Sequence, residues 1–172
     1  RDEDLSRGLE MCIRDSLLTA ILAAAAIGIF EATIEKVVAL AILMPIVASM
    51  GGIAGMQSLA LVIRSQATNQ IGESNSRLLI IKESLIGVLN GILWSSIVAV
   101  AVYLWFDSVF LGTVIASALM INLIIGAISG VSLPLILKKM DIDPALAGGV
   151  ILTTITDIVG FISLLGVATI IM

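Results

Sequence analysis

Histidine is missing altogether from this chain of 172 residues, and cysteine occurs once, at Cys12. Without histidine, the usual imidazole ligand for zinc and other transition metals is gone. One cysteine excludes an intrachain disulfide framework. Charge is scarce as well: Asp, Glu, Lys and Arg make up 13% of the residues, where a soluble domain carries about a quarter. The net charge is −4 and no basic patch is present, so nucleic acid is not an expected partner. No nucleophile–base pair and no phosphate-cradling glycine loop can be found, and no secretory signal with a cleavage site. An enzyme is not expected.

What fills the chain instead is hydrocarbon. Hydrophobic residues make up 59%, and the mean hydropathy is +1.18, so the expected solvent for most of the chain is lipid. Ala, Leu and Ile are abundant, with 15 Gly and only 3 Pro, which suits membrane helices. A barrel would show roughly ten-residue stretches alternating apolar and polar, and these are absent. Five apolar segments stand out, at Leu17–Phe30, Val37–Ile63, Leu78–Phe106, Val109–Leu137 and Ala145–Met172. A crossing takes about 20 apolar residues. The last four segments meet that length, and the first needs flanking polar residues to complete a span. The sequence therefore predicts an all-α polytopic membrane protein with five transmembrane helices.

Residues 1–16, RDEDLSRGLEMCIRDS, read as a polar leader, either a solvated tail or the end of a juxtamembrane helix, with a non-native origin left open. Residues 17–172 are then the five-helix domain. With the N-terminus in the cytoplasm, the inner loops hold Arg1, Arg7, Arg14, Arg64, Arg77, Lys82, Lys138 and Lys139, and the outer side holds only Lys36. Cytoplasmic loops carry the excess of Lys and Arg, so this orientation is expected, with the C-terminus outside. In KKMDIDPAL, Asp143 before Pro144 reads as an N-cap opening the last helix. A cation at Asp141 and Asp143 is the alternative.

One residue is costly where it stands. Asp157 lies midway along ILTTITDIVGFISLLG, and a charge at bilayer depth costs about 2.5 kcal/mol or more unless it faces a partner or a cavity. No basic residue lies at comparable depth in any segment. A cation site lining a pathway, a neutral buried acid and a helix-packing hydrogen bond are the three readings. The hydroxyls of Thr153, Thr154 and Thr156 supply a locally wet face, and Gly149 stands on the same helix. In MPIVASMGGIAGMQS, Pro45 frees a carbonyl, Gly51, Gly52 and Gly55 thin the helix, and Gln57 adds a polar tip. Such backbone either coordinates ions or marks a kinked, closely packed helix.

Glu31 and Glu35 fall at the outer end of the first segment, as a cation-concentrating mouth or a solvated turn. Glu83, beside Lys82, reads as an acid near a helix N-terminus, favourable there without any function. Asn90 and Asn122 read as interhelical hydrogen bonders. Tyr103 and Trp105 suit an outer aromatic belt, and Trp94 needs no more than packing. G-x-x-x-G pairs at Gly51/Gly55, Gly87/Gly91 and Gly126/Gly130 predict a compact bundle.

FEATIEKVVALAILMPIVASMGGIAGMQSLALVIRS and DPALAGGVILTTITDIVGF together resemble the transmembrane domain of the MgtE magnesium channels, with the likeness running from about Leu17 to the C-terminus. The resemblance implies a homodimer in the inner (plasma) membrane, whose pore between subunits is lined by the helices holding these two motifs. It implies that Asp157 faces a hydrated Mg2+ and that the Thr153 carbonyl touches the same water shell. Mn2+, Co2+ and Ca2+ are further candidate ions. The family commonly has Asn where this chain has Ile53, and a small or polar residue where it has Met56. Its cytosolic magnesium-sensing domains have no counterpart in this sequence. The expected function is a pore passing Mg2+ down its electrochemical gradient. The alternatives are a proton- or sodium-coupled carrier in which Asp157 titrates, and a non-transporting membrane subunit.

Overall fold

The computed structural model describes the backbone of residues 2–68 and 73–172, and the side-chain surroundings of 13, 14, 16–68 and 78–172. Arg1 and the side chains of Arg7, Cys12 and Arg77 lie outside the described residues. Among the described residues six helices follow one another: α1 Asp2–Gly28, α2 Glu31–Lys36, α3 Ala39–Ala67, α4 Glu73–Phe106, α5 Val109–Lys139 and α6 Pro144–Ile171. Four of them are long and apolar enough to cross a membrane: α3, the Leu78–Phe106 part of α4, α5 and α6. The apolar part of α1, Ser16–Gly28, is shorter. The polar residues before Leu17 continue the same helix back to Asp2 rather than forming a break. The same holds for α4, which starts at Glu73, upstream of the apolar run.

Turn chemistry sets the helix ends. Between α4 and α5 only Asp107 and Ser108 intervene. Asp107 adopts φ 48°, a left-handed conformation that Asp tolerates better than most residues, and the Ser108 hydroxyl accepts from the Leu111 N–H at 3.3 Å. At the other end α5 closes in a Schellman turn. Asp141 takes φ 57°, the Ile142 N–H reaches the Leu137 carbonyl at 3.0 Å, and the Asp141 N–H reaches that of Lys138 at 3.3 Å. Asp143 then caps α6, its Oδ1 accepting from the Ala145 N–H at 2.9 Å, with Pro144 in the first turn. Asp143 is thus a cap. Connections this short make α4, α5 and α6 successively antiparallel neighbours.

Glycines decide how the helices meet, and α5 is the axis of the bundle. A Cβ on Gly126 would stand 2.6 Å from the Gly51 carbonyl oxygen, and one on Gly55 would stand 2.9 Å from the Gly126 carbonyl. Gly130 likewise presses on the Gly55 carbonyl. The G-x-x-x-G pairs of α3 and α5 therefore face each other backbone to backbone, as small residues at a membrane helix interface allow. On another side of α5, a Cβ on Gly87 of α4 would stand 2.8 Å from the Ala127 Cβ, and one on Gly91 would stand 2.8 Å from the Met120 sulfur. Where α3, α5 and α6 converge, the fully buried Asn122 donates from Nδ2 to the Val47 carbonyl at 2.7 Å. Gly51 and Gly160 leave the room for its amide. Its Oδ1 is buried with no hydrogen-bond partner. Beyond that point Leu40, Leu43, Val114, Ile115, Leu119, Leu164 and Leu165 close an apolar core, with Phe30 and Ile34 packed on its rim.

Candidate functional site

A groove of about 570 Å³ runs between α3 and α6 on the side of α3 turned away from α5. Its α3 wall is Ala48, Ser49, Gly52, Ile53, Met56, Gln57 and Ala60, and its α6 wall is Thr153 and Asp157. The spacing explains the set. Gly52, Met56 and Ala60 recur every four residues, as do Ser49, Ile53 and Gln57, so they share one strip of helix surface, and Thr153 and Asp157 are one turn apart. Asp157 is half-buried and is the one carboxylate among the groove residues. Ile53 is 54% exposed and Met56 42%, so the groove lies open along one side of the single chain.

Of the residues singled out in the sequence, the structure brings Gly52, Gln57, Thr153 and Asp157 together in this groove. Gly149 adjoins it, since a Cβ there would sit 3.5 Å from the Met56 methyl. Gly51 and Gly55 are buried against α5 instead, and Pro45 is exposed on α3. Thr156 is fully buried, its hydroxyl donating to the Leu152 and Thr153 carbonyls at 3.2 and 3.1 Å. The Thr154 hydroxyl donates to the Val150 carbonyl at 2.7 Å. Glu31 and Glu35 are exposed on α2, which packs against α6 and α3. Ala48, Ser49 and Ala60 also line the groove. Ordinary small residues of this kind carry no chemical signal in sequence, and only the strip they share with Gly52 and Met56 points to them.

The α6 wall has a definite chemistry. The Thr153 hydroxyl is turned onto its own helix, donating to the Gly149 and Val150 carbonyls, both at 3.1 Å. The Thr153 carbonyl receives the Thr156 hydroxyl. Of these threonines only Thr153 lines the groove, and the Asp157 carboxylate is its charged group. Hard oxygen donors of this kind suit Mg2+ or Ca2+ rather than softer metals. Among the described residues no cluster of three or more Asp, Glu, Cys or His at metal-holding spacing occurs. A cation at Asp157 would then keep most of its waters, which matches the reluctance of Mg2+ to dehydrate.

Fold and groove together define a multi-pass α-helical membrane protein with a groove on its surface that holds a single carboxylate. The chain belongs to the MgtE family: the family model described as divalent cation transporter matches residues 44–167, a span that holds α4, α5 and both walls of the groove. The magnesium transporter MgtE of Bacillus subtilis (strain 168) is 37% identical over 153 residues, covering 89% of this chain and 34% of that protein. The MgtE proteins of Thermus thermophilus and Enterococcus faecalis are 31% and 28% identical, covering 88% and 87% of this chain. The chain spans about a third of the length of these relatives.

Proposed function

We propose that the chain forms the ion-conducting part of a magnesium channel in the plasma membrane, passing hydrated Mg2+ down its electrochemical gradient. The observation that carries the reading is Asp157, half-buried in the groove between α3 and α6, in a chain of the MgtE family. A groove open on one side gives half a pathway. A second copy of the chain, apposed across Ile53 and Met56, closes it and brings two carboxylates to one divalent ion, so the ion supplies the countercharge that neither chain provides. The polar leader and α1 complete a fifth span, which puts the N-terminus in the cytoplasm and the C-terminus outside. This agrees with the charge pattern: Arg64, Lys82, Lys138 and Lys139 fall near one end of α3–α6 and Lys36 at the other.

The test is divalent-cation flux into proteoliposomes, with wild type beside Asp157→Asn. The expected outcome is Mg2+ entry that follows the Mg2+ gradient in wild type and drops at least about tenfold in the variant, where the charge is lost and the shape is kept. Equal flux in both proteins would remove Asp157 from the pathway. Flux that tracks a proton or sodium gradient instead would replace the channel with a coupled carrier.

A further inference from the structure

A second polar cavity lies on another side of α3, and the proposed pathway does not use it. It measures about 230 Å³ and is bounded by Gln57 and Ser58 of α3, Glu83 and Asn90 of α4, and Leu123 and Ala127 of α5. On α4, Glu83, Ile86, Gly87 and Asn90 fall at i, i+3, i+4 and i+7, and on α3 so do Ala54, Gln57, Ser58 and Leu61. Each helix therefore turns one stripe inward. Gly87, seated on Ala127, draws α4 onto α5 at the middle of the stripe, and the crevice opens between α3 and α4 in front of α5.

Glu83 is the unusual member. It is only 8% exposed and lies five residues inside the apolar part of α4, roughly 7.5 Å along the helix axis. One of its oxygens, Oε2, accepts from the Ser58 hydroxyl at 2.7 Å. Because α4 begins at Glu73, Glu83 is three turns inside the helix, so the favourable first-turn position expected from sequence does not account for it. Burying a carboxylate in such a place is costly unless a positive partner or several hydrogen bonds compensate. Among the described residues a single hydroxyl, that of Ser58, supplies one such bond.

We propose that this crevice is a second binding site for a partly hydrated divalent cation, with the Glu83 carboxylate as the direct ligand and the Ser58 hydroxyl and the Gln57 and Asn90 amide oxygens ordering its waters. All four residues offer oxygen, the donor type that hard cations take. One carboxylate is enough for an ion that keeps several waters, and the cavity leaves room for them at ~30 Å³ apiece. Gln57 borders both this crevice and the Asp157 groove, so the two sites share a wall. Binding here does not depend on Asp157, and the inference stands apart from the channel reading.

The test is equilibrium Mn2+ binding to the purified chain in nanodiscs, with free Mn2+ read by its paramagnetic resonance signal. Wild type, Asp157→Asn, Glu83→Gln and the double variant are compared. Asp157→Asn is expected to keep one class of bound Mn2+, Glu83→Gln to lose that class, and the double variant to bind none. Ser58→Ala and Asn90→Leu, each removing a water-ordering group and sparing the carboxylate, are expected to weaken the same class by about tenfold. They report on the site even if Glu83→Gln fails to fold. The proposal is overturned if Asp157→Asn abolishes all binding, or if the Glu83, Ser58 and Asn90 variants bind as wild type does. Either result would make Ser58–Glu83 an interhelical hydrogen bond alone. If wild type shows the Glu83-dependent class without an Asp157-dependent one, the channel reading falls and this one survives.

Discussion

Gly126→Ala puts one methyl group into the tightest contact between α3 and α5. Its Cβ would lie 2.6 Å from the Gly51 carbonyl oxygen and 3.5 Å from the Thr156 methyl. The first contact is with backbone, so no rotamer change relieves it. Restoring an ordinary separation of 3.4 Å requires α3 and α5 to part by about 0.8 Å, and overpacking of this kind costs about 1–3 kcal/mol. Alanine returns about 1 kcal/mol through its better helix propensity, so a net loss of up to about 2 kcal/mol is expected. Gly52→Ala is the control. One residue along α3 from Gly51, its Cβ would meet only the Thr156 hydroxyl, at an ordinary 3.7 Å, so its stability should be unchanged or improved by up to about 1 kcal/mol. The assay is reversible unfolding in detergent, with Gly126→Ala and Gly52→Ala measured beside wild type. The reasoning fails if the two alanines shift stability alike, because the backbone contact at Gly126 would then not be holding the helices at their spacing.

Three further outcomes follow from particular contacts. Asn122→Ala removes the 2.7 Å bond to the Val47 carbonyl at the convergence of α3, α5 and α6, and should cost about 1 kcal/mol in the same unfolding assay. No change would mean that the orphaned Oδ1 costs as much as the Nδ2 bond contributes. Asp143→Ala removes the cap on the Ala145 N–H and should destabilise by about 1 kcal/mol, whereas Asp143→Ser should recover most of the loss. Met56→Ala takes away the side chain whose methyl overhangs Gly149. It should raise divalent flux in proteoliposomes without lowering stability, and reduced flux would mean that Met56 shapes the path rather than obstructing it.

The parts of this molecule that were legible in sequence are those that hydropathy and turn chemistry govern. Four apolar runs correspond to the four helices long enough to cross a membrane, and the Asp143–Pro144 pair marks the start of α6 as expected. Asp157 was legible because one charge among apolar residues is conspicuous. The polar helix ends were not: Glu73–Arg77 and Asp2–Ser16 are helical but polar, and hydropathy follows the solvent rather than the hydrogen-bond ladder. That is why Glu83 looked like a first-turn residue. Faces were hidden for a related reason. A helix apolar on every side has no periodicity to say which side meets a neighbour, so Gly51, Gly52 and Gly55 read as one group. In the structure Gly52 joins the groove, while Gly51 and Gly55 meet α5.

That division of the glycines explains how one helix serves two purposes. The side of α3 carrying Gly51 and Gly55 is fixed by backbone contact with Gly126 and Gly130, so its position is set by atoms that have no rotamers to adjust. The side carrying Gly52, Met56 and Gln57 is left free to line the groove opposite Asp157. α6 is fixed in turn, through Gly160 against Asn122 and Gly148 against Leu59. Both walls of the groove are therefore referenced to α5, either directly or through Asn122, although α5 contributes nothing to the groove's surface. A change at Gly126 should for this reason reach Asp157 without touching it. The distance across the groove is set behind the groove, where the helices meet.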